Sequence, residues 1–255
     1  MENALKRSWS LPLLTLAVAL LGVSTGHAVT KTSGASGVWN AGATWVGGVP
    51  PDPGDDVVIK PTHTVTVTNN ASCNSISFDN NAANPSILSV NAGCALTVAT
   101  NITLRNAAGA NTTAGIQGAG AVSCVTLTVG GYVAPTANAT VILTNTIASL
   151  SIAGDLTVRS RRVSGKNSTA TFTLNSGSVS VGGTAILNAD NGATAALTLA
   201  GGAQTGTLTL SGAAPFSRPG AGTGTFTANG TSATVIYSGD AQTVDPVAYR
   251  SLTLS

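Results

Sequence analysis

Asp52, Asp55 and Asp56 lie within five positions of one another, and carboxylates gathered so closely can hold a hard cation such as Ca²⁺ through oxygen. A calcium site takes about six to eight oxygen ligands, so three carboxylates make a weak candidate, and a turn is the simpler expectation. His63 has neither a second His nor a Cys at ligand spacing, which leaves a zinc site without partners and the ring expected at the surface between strands. Cys73, Cys94 and Cys124 are an odd set, so a disulfide between two of them would leave a third thiol over. Four cations crowd into Arg159, Arg161, Arg162 and Lys166, next to Ser164 and Gly165. They read as a solvated loop or as a contact for an anionic glycan. Trp39 and Trp45 could stack on a sugar or plug the end of a core.

Catalysis is poorly supplied by this set. Asp79, Asp155, Asp190, Asp240 and Asp245 stand singly, no two at the i, i+2 spacing that would aim both from one strand at one bond. A Gly-x-Ser-x-Gly elbow with a downstream His does not occur. No catalytic residue and no cofactor is expected, although carboxylates from distant parts of the chain could meet in space.

The elements that carry these residues begin after an export signal. Lys6 and Arg7 precede an uncharged apolar run from Leu11 to Val23, and Gly26-His27-Ala28 has small residues at both ends, so residues 1–28 read as a cleaved signal peptide. Removing Lys6, Arg7 and Glu2 leaves nine of the eleven cations and eight of the nine carboxylates, all of them Asp. Such a balance offers no electrostatic footprint for nucleic acid or for an acidic membrane. The product is expected in a secreted or cell-surface location, with no membrane contact beyond the signal peptide.

Thr, Val, Ile and Leu alternate with Ser and Thr, punctuated by Gly and Asn, and no helical period stands out; the chain is expected to be all-β. "SLSIAGDLTV" at 149–158 repeats the pattern of "ALTVATNITL" at 95–104. Apolar-x-apolar pairs recur at Leu96, Leu127, Leu150, Val179 and Leu208, and a second ladder runs through Phe172, Leu197 and Phe226. A three- to five-residue strand cannot bury its apolar side alone, but strands stacked about 4.8 Å apart share one core. We therefore expect a right-handed parallel β-helix: an N-terminal cap and first strands over 29–68, then coils over 69–255. Stacking in one phase would put Leu96, Val98, Leu127, Val129, Leu150, Ile152, Val179, Val181, Leu208 and Leu210 in one column. It would also bring Cys94 within disulfide reach of Cys73 or Cys124, or line the core with all three thiols.

"GVWNAGATWVGGVPPDPGDDVVIKPTHTVTV" at 37–67, with Trp39, Trp45, Gly47-Gly48, Asp55-Asp56 and Val57-Val58-Ile59, resembles the opening of large secreted bacterial β-helical surface proteins, including those with a G8-type domain. "VIYSGDAQTVDPVAYRSLTLS" at 235–255 is similar to a unit repeated in haemagglutinin-like adhesins. The resemblance implies a structural or adhesive surface module that binds host or environmental glycans or proteins through its faces and loops, without enzymatic activity. In those proteins the last unit runs on into further coils, so further coils of a longer chain are an expected partner of the final strand. Two other readings stand beside it. A carbohydrate-active β-helix enzyme or polysaccharide-binding module would need convergent Asp groups, basic residues or calcium. An ice-binding solenoid is suggested by Thr64-Val65-Thr66, Thr66-Val67-Thr68 and Thr171-Phe172-Thr173, and opposed by intervals that wander from 23 to 31 residues.

Overall fold

Short strands that alternate inward and outward residues fold by winding around a common core. A computed structural model describes residues 28–79, 84–199 and 205–255 as a parallel β-solenoid of about seven turns, without α-helix among those residues. The export segment at 1–28 lies outside the described residues except for Ala28.

Each coil visits three faces in turn. The first face stacks β2 (Gly37–Val38), β4 (Thr64–Val67), β7 (Ser86–Val90), the opening arms of β10 (Thr112–Cys124) and β12 (Ala139–Ile152), β15 (Lys166–Leu174), β18 (Thr194–Leu199) and β21 (Thr223–Thr227). The second stacks β5 (Ala71–Cys73), β8 (Ala95–Val98), the closing arms of β10 and β12, β16 (Gly177–Val181), β19 (Gly206–Leu210), β22 (Ala233–Tyr237) and β23 (Ser251–Leu254). The third stacks β1 (Thr30–Thr32), β3 (Asp56–Ile59), β6 (Ser75–Phe78), β9 (Asn101–Leu104), β11 (Thr126–Gly130), β13 (Leu156–Ser160), β17 (Ala185–Ala189) and β20 (Phe216–Ser217). All these pairings are parallel; among the named strands of the described residues the antiparallel exception is β14 (Arg162–Val163), which folds back on the start of β15 as a hairpin.

The interior is one apolar cluster running from Trp39 to Tyr237. On the second face Leu96, Val122, Leu150, Val179, Leu208 and Val235 stack in register. Leu127 and Val129 are buried in the same core but belong to the third face, beside Ile102 and Leu104 below and Leu156 and Val158 above. The single column expected from the sequence is thus two columns facing each other, with Val122 in the place given to Leu127. The ladder of Phe172, Leu197 and Phe226 is paired as expected. Each fully buried Val, Leu or Ile contributes about 1.5–3 kcal/mol, and only stacking makes that burial available to so short a strand.

The N-terminal end is closed. A 3₁₀ turn (Gly42–Thr44) bends the chain so that Trp39 and Trp45 meet edge to face, 5.4 Å between centroids. The Trp45 indole N–H donates to the Trp39 carbonyl at 2.7 Å, which satisfies its one buried donor.

Candidate functional site

Asp55, Asp56, Asp155, Asp190 and Asp245 hold coils together. Asp55 is buried: its two carboxylate oxygens accept from the backbone N–H groups of Val29 and Asp52, and Lys31 Nζ lies 3.8 Å away. Asp56 accepts from Asn74 Nδ2 at 2.7 Å and from the Ser75 hydroxyl at 2.6 Å. Asp52 stays exposed at the turn. The three do not converge on a shared point, and no group of three His, Cys, Asp or Glu suited to a metal forms among the described residues. The sequence spacing produces the turn that was the simpler expectation, closed by Asp55 N–H donating to Asp52 O, with Asp55 and Asp56 bonded to neighbouring coils.

His63 is half-buried, with Nδ1 2.9 Å from the Ser33 hydroxyl, which in turn accepts from Lys60 N–H. It is a strut beneath the cap, where the sequence suggested a solvent-facing ring. The tryptophans are likewise interior, 1% and 3% exposed, so neither offers a ring face to a sugar. The sequence reading as a plug describes them; the ligand contact does not.

The disulfide expectation fails on register. Cys73 pairs with Val98, and continuing the β8–β10 ladder puts Cys124 on the other side of Val98, so both candidate partners of Cys94 stand opposite a residue four positions along the chain from it, and they lie two coils or about 9.6 Å from each other. A disulfide needs Cα atoms within about 7 Å. Cys94 sits in the turn before β8, its N–H bonded to Asn91 O, and all three thiols are free. Cys73 and Cys124 do line the core, and burial pushes both thiols up to about 12, with Asp56 and Asp55 adding to the effect at Cys73.

The basic cluster is divided by the hairpin. Ser164 and Gly165 make its turn with left-handed backbones, φ 51° and 77°, which glycine at the second position adopts without strain. Arg162 N–H donates to Asp190 Oδ2 and its guanidinium to Asn191 O, while Asn167 Nδ2 donates to Gly192 O. These bonds clamp the hairpin onto the next coil's turn. Between them lies an open cleft of about 570 Å³ lined by Arg162, Ser164, Gly165, Asp190, Asn191 and Ala221. Arg162 alone of the predicted contacts lines it; Arg159 is exposed over Gly131 on the third face, and Arg161 is half-buried at the hairpin's base.

Sequence reasoning missed a second cluster near the C-terminal end. Arg218 makes a two-pronged pair with Asp245, at 2.9 and 2.7 Å, and Asp245 is 8% exposed. The Tyr237 and Tyr249 hydroxyls are 2.7 Å apart, and Tyr249 donates to the Asp245 carbonyl. Burial and this hydrogen bond to Tyr237 hold the Tyr249 phenol well above its ordinary range. The signal was available in the aromatic spacing, but the Arg–Asp partnership spans 27 residues and joins different coils.

No known family model, no characterised protein and no solved structure matches this chain.

Proposed function

We propose that this is a secreted or surface-exposed β-solenoid, right-handed, that binds surface glycans or proteins through its faces and loops without making or breaking covalent bonds, in the manner of the bacterial surface adhesins its two end segments resemble. Right-handed winding is the hand that parallel strand–crossover–strand connections adopt in about 98% of cases. The observation that carries the functional reading is the use made of the carboxylates. Asp55, Asp56, Asp155, Asp190 and Asp245 each accept hydrogen bonds from a group in another part of the chain, at separations of 18 to 29 residues. These carboxylates have oxygens committed to holding one part of the chain to another, whereas the outward Ser and Thr rows are a broad polar contact surface.

The experiment is incubation of the protein with plant, fungal and bacterial polysaccharides, measuring retention on the insoluble ones together with reducing ends and unsaturated products. Retention without product is expected. Product formation that disappears in Asp79→Asn or Asp240→Asn would overturn the reading in favour of a carbohydrate-active enzyme.

A further inference from the structure

The first face carries a two-dimensional array that the linear sequence hides. Four successive strands, the opening arm of β12 and then β15, β18 and β21, stack in parallel register. Their inward residues, among them Leu143, Phe172, Leu197 and Phe226, are buried, so alternation turns the intervening residues to solvent. One outward row is Thr144, Thr173, Thr198 and Thr227. A second is Thr140, Thr169, Thr194 and Thr223, with Thr169 beside Thr194 by continuation of the ladder. The row between them is Ile142, Thr171, Ala196 and Thr225. Ten of these twelve positions are Thr, and the two exceptions are uncharged.

Strand propensity alone does not account for this. Thr favours strands wherever they are, yet on the second face of the same coils the outward rows are mixed, Ser149, Ser178, Thr207, Thr234 and Ser151, Ser180, Thr209, Ile236, and on the third face the row Thr103, Thr128, Thr157 passes to Ile186. The ten hydroxyls are also uncommitted. None of them bonds to protein among the described residues, whereas Thr44, Thr100, Thr112 and Thr136 elsewhere use theirs to hold loops. The variable coil length that argued against a regular face does not disturb it. Intervals along this face are 29, 25 and 29 residues, and the register is kept because the surplus is taken up away from these strands, in the β14 hairpin among other places.

We infer that this face binds the surface of crystalline water. Its side chains repeat about 4.8 Å across the strands and about 6.6 Å along them, over a patch roughly 14 by 13 Å. A soluble ligand offers one set of contacts, whereas a lattice repeats in two dimensions as the array does. β-Branched Thr is stiff at χ1 and stands away from the sheet, so hydroxyl and methyl positions are set before contact and little side-chain entropy is lost on binding. Each methyl orders the water around it while each hydroxyl donates and accepts into the same layer. An outward aromatic ring, the usual amphipathic platform for larger ligands, is missing from the array. Thr64 and Thr66, which share the Thr-x-Thr pattern, are followed on the next strand by Ile87 and Ser89 and form no such array.

The inference rests on the reading of the protein as a face-binding solenoid, and names the ligand of one face. Its test is adsorption of the fluorescently labelled protein to a growing ice surface, with thermal hysteresis measured in parallel. Wild type is expected to adsorb and to separate the freezing and melting points. Thr171→Lys, at the centre of the array, should lose at least about tenfold of both, because one flexible, strongly hydrated cation breaks the repeat. Thr171→Val and Thr198→Val together, which remove hydroxyls and keep shape, should weaken both if the lysine variant fails to fold. Ser180→Lys, outward on the second face, should leave both intact. Absence of adsorption by wild type, equal loss in Ser180→Lys, or retention on a crystalline polysaccharide that Thr171→Lys abolishes while ice is ignored would each overturn it. Those results would leave the non-enzymatic reading standing, which fails instead on polysaccharide turnover.

Discussion

Asn145 is completely buried on the first face, and neither its amide nitrogen nor its amide oxygen has a hydrogen-bond partner among the described residues. Its place in the core is otherwise aliphatic: Leu88, Ile116, Leu174 and Leu199 occupy the same column on neighbouring coils. Replacing Asn145 with Leu should therefore stabilise the protein. An unsatisfied buried polar group costs about 1–3 kcal/mol, and a buried Leu side chain contributes about 1.5–3 kcal/mol. Misfit of a slightly larger side chain takes back about 1–3 kcal/mol, so a net gain of about 1.5–3 kcal/mol is expected. For a chain of this length each kcal/mol raises Tm by about 2–4 °C, which puts the shift at roughly 3–12 °C. Thermal denaturation followed by far-UV circular dichroism and by tryptophan fluorescence is the assay. Trp39 and Trp45 report from the N-terminal end, several coils from Asn145, so a common shift in both signals would show stabilisation propagating through nearest-neighbour coils. An unchanged or lower midpoint would refute the reasoning, since it would mean that the amide is satisfied where it stands or that the column has no room for Leu.

Ile152→Asp should have the opposite effect: Ile152 is 1% exposed between Cys124 and Val181, and an unpaired carboxylate there costs several kcal/mol. Its melting temperature should fall by more than about 10 °C at neutral pH; an unchanged melt would place Ile152 outside the core. The core thiols make a prediction about pH. Cys73 and Cys124 are raised by burial from 9.0 to about 12, so the unfolded chain sheds those protons first. Their contribution is fully present below about pH 9 and is lost as pH climbs toward 12, at about 1.4 kcal/mol per unit for each thiol. Thiol labelling of the native protein at pH 8 should modify Cys94 first, with Cys73 and Cys124 reacting only on unfolding; simultaneous modification of all three in the folded state would contradict the register.

The alternation that turns Leu150 and Ile152 inward and Ser149 and Ser151 outward was legible in the sequence, because a period of two is all that a half-buried strand requires. Which face a strand belongs to was not. "ALTVATNITL" and "SLSIAGDLTV" are equivalent stretches two coils apart, each a second-face strand, a corner and a third-face strand. The coil between them is Ala121 to Val129, where Val125 alone forms the corner in place of Ala99 and Thr100. With one corner residue gone, Val122 and Leu127 both look like the start of an apolar pair, and spacing measured along the chain selects the wrong one. The same residue explains the cysteines. Cys73 and Cys124 each precede a third-face strand at equal distance, but Val98 holds that place in the intervening coil.

The threonine array was hidden for the complementary reason. Thr171 and Thr173 signal themselves by adjacency within one strand, but Thr144, Thr198 and Thr227 become their neighbours only through hydrogen bonds between strands 25 to 29 residues apart. The scaffold tolerates uneven intervals because a corner can absorb residues without cost to the ladder, as the Arg162–Lys166 hairpin does, whereas one residue inserted inside a strand would flip every later side chain of that strand. Variation in a solenoid therefore collects at the corners, and a row of identical outward residues survives it. A property distributed over four strands in this way has no local motif; it is read from register, and the register here sets ten hydroxyls in rows on one face of the molecule.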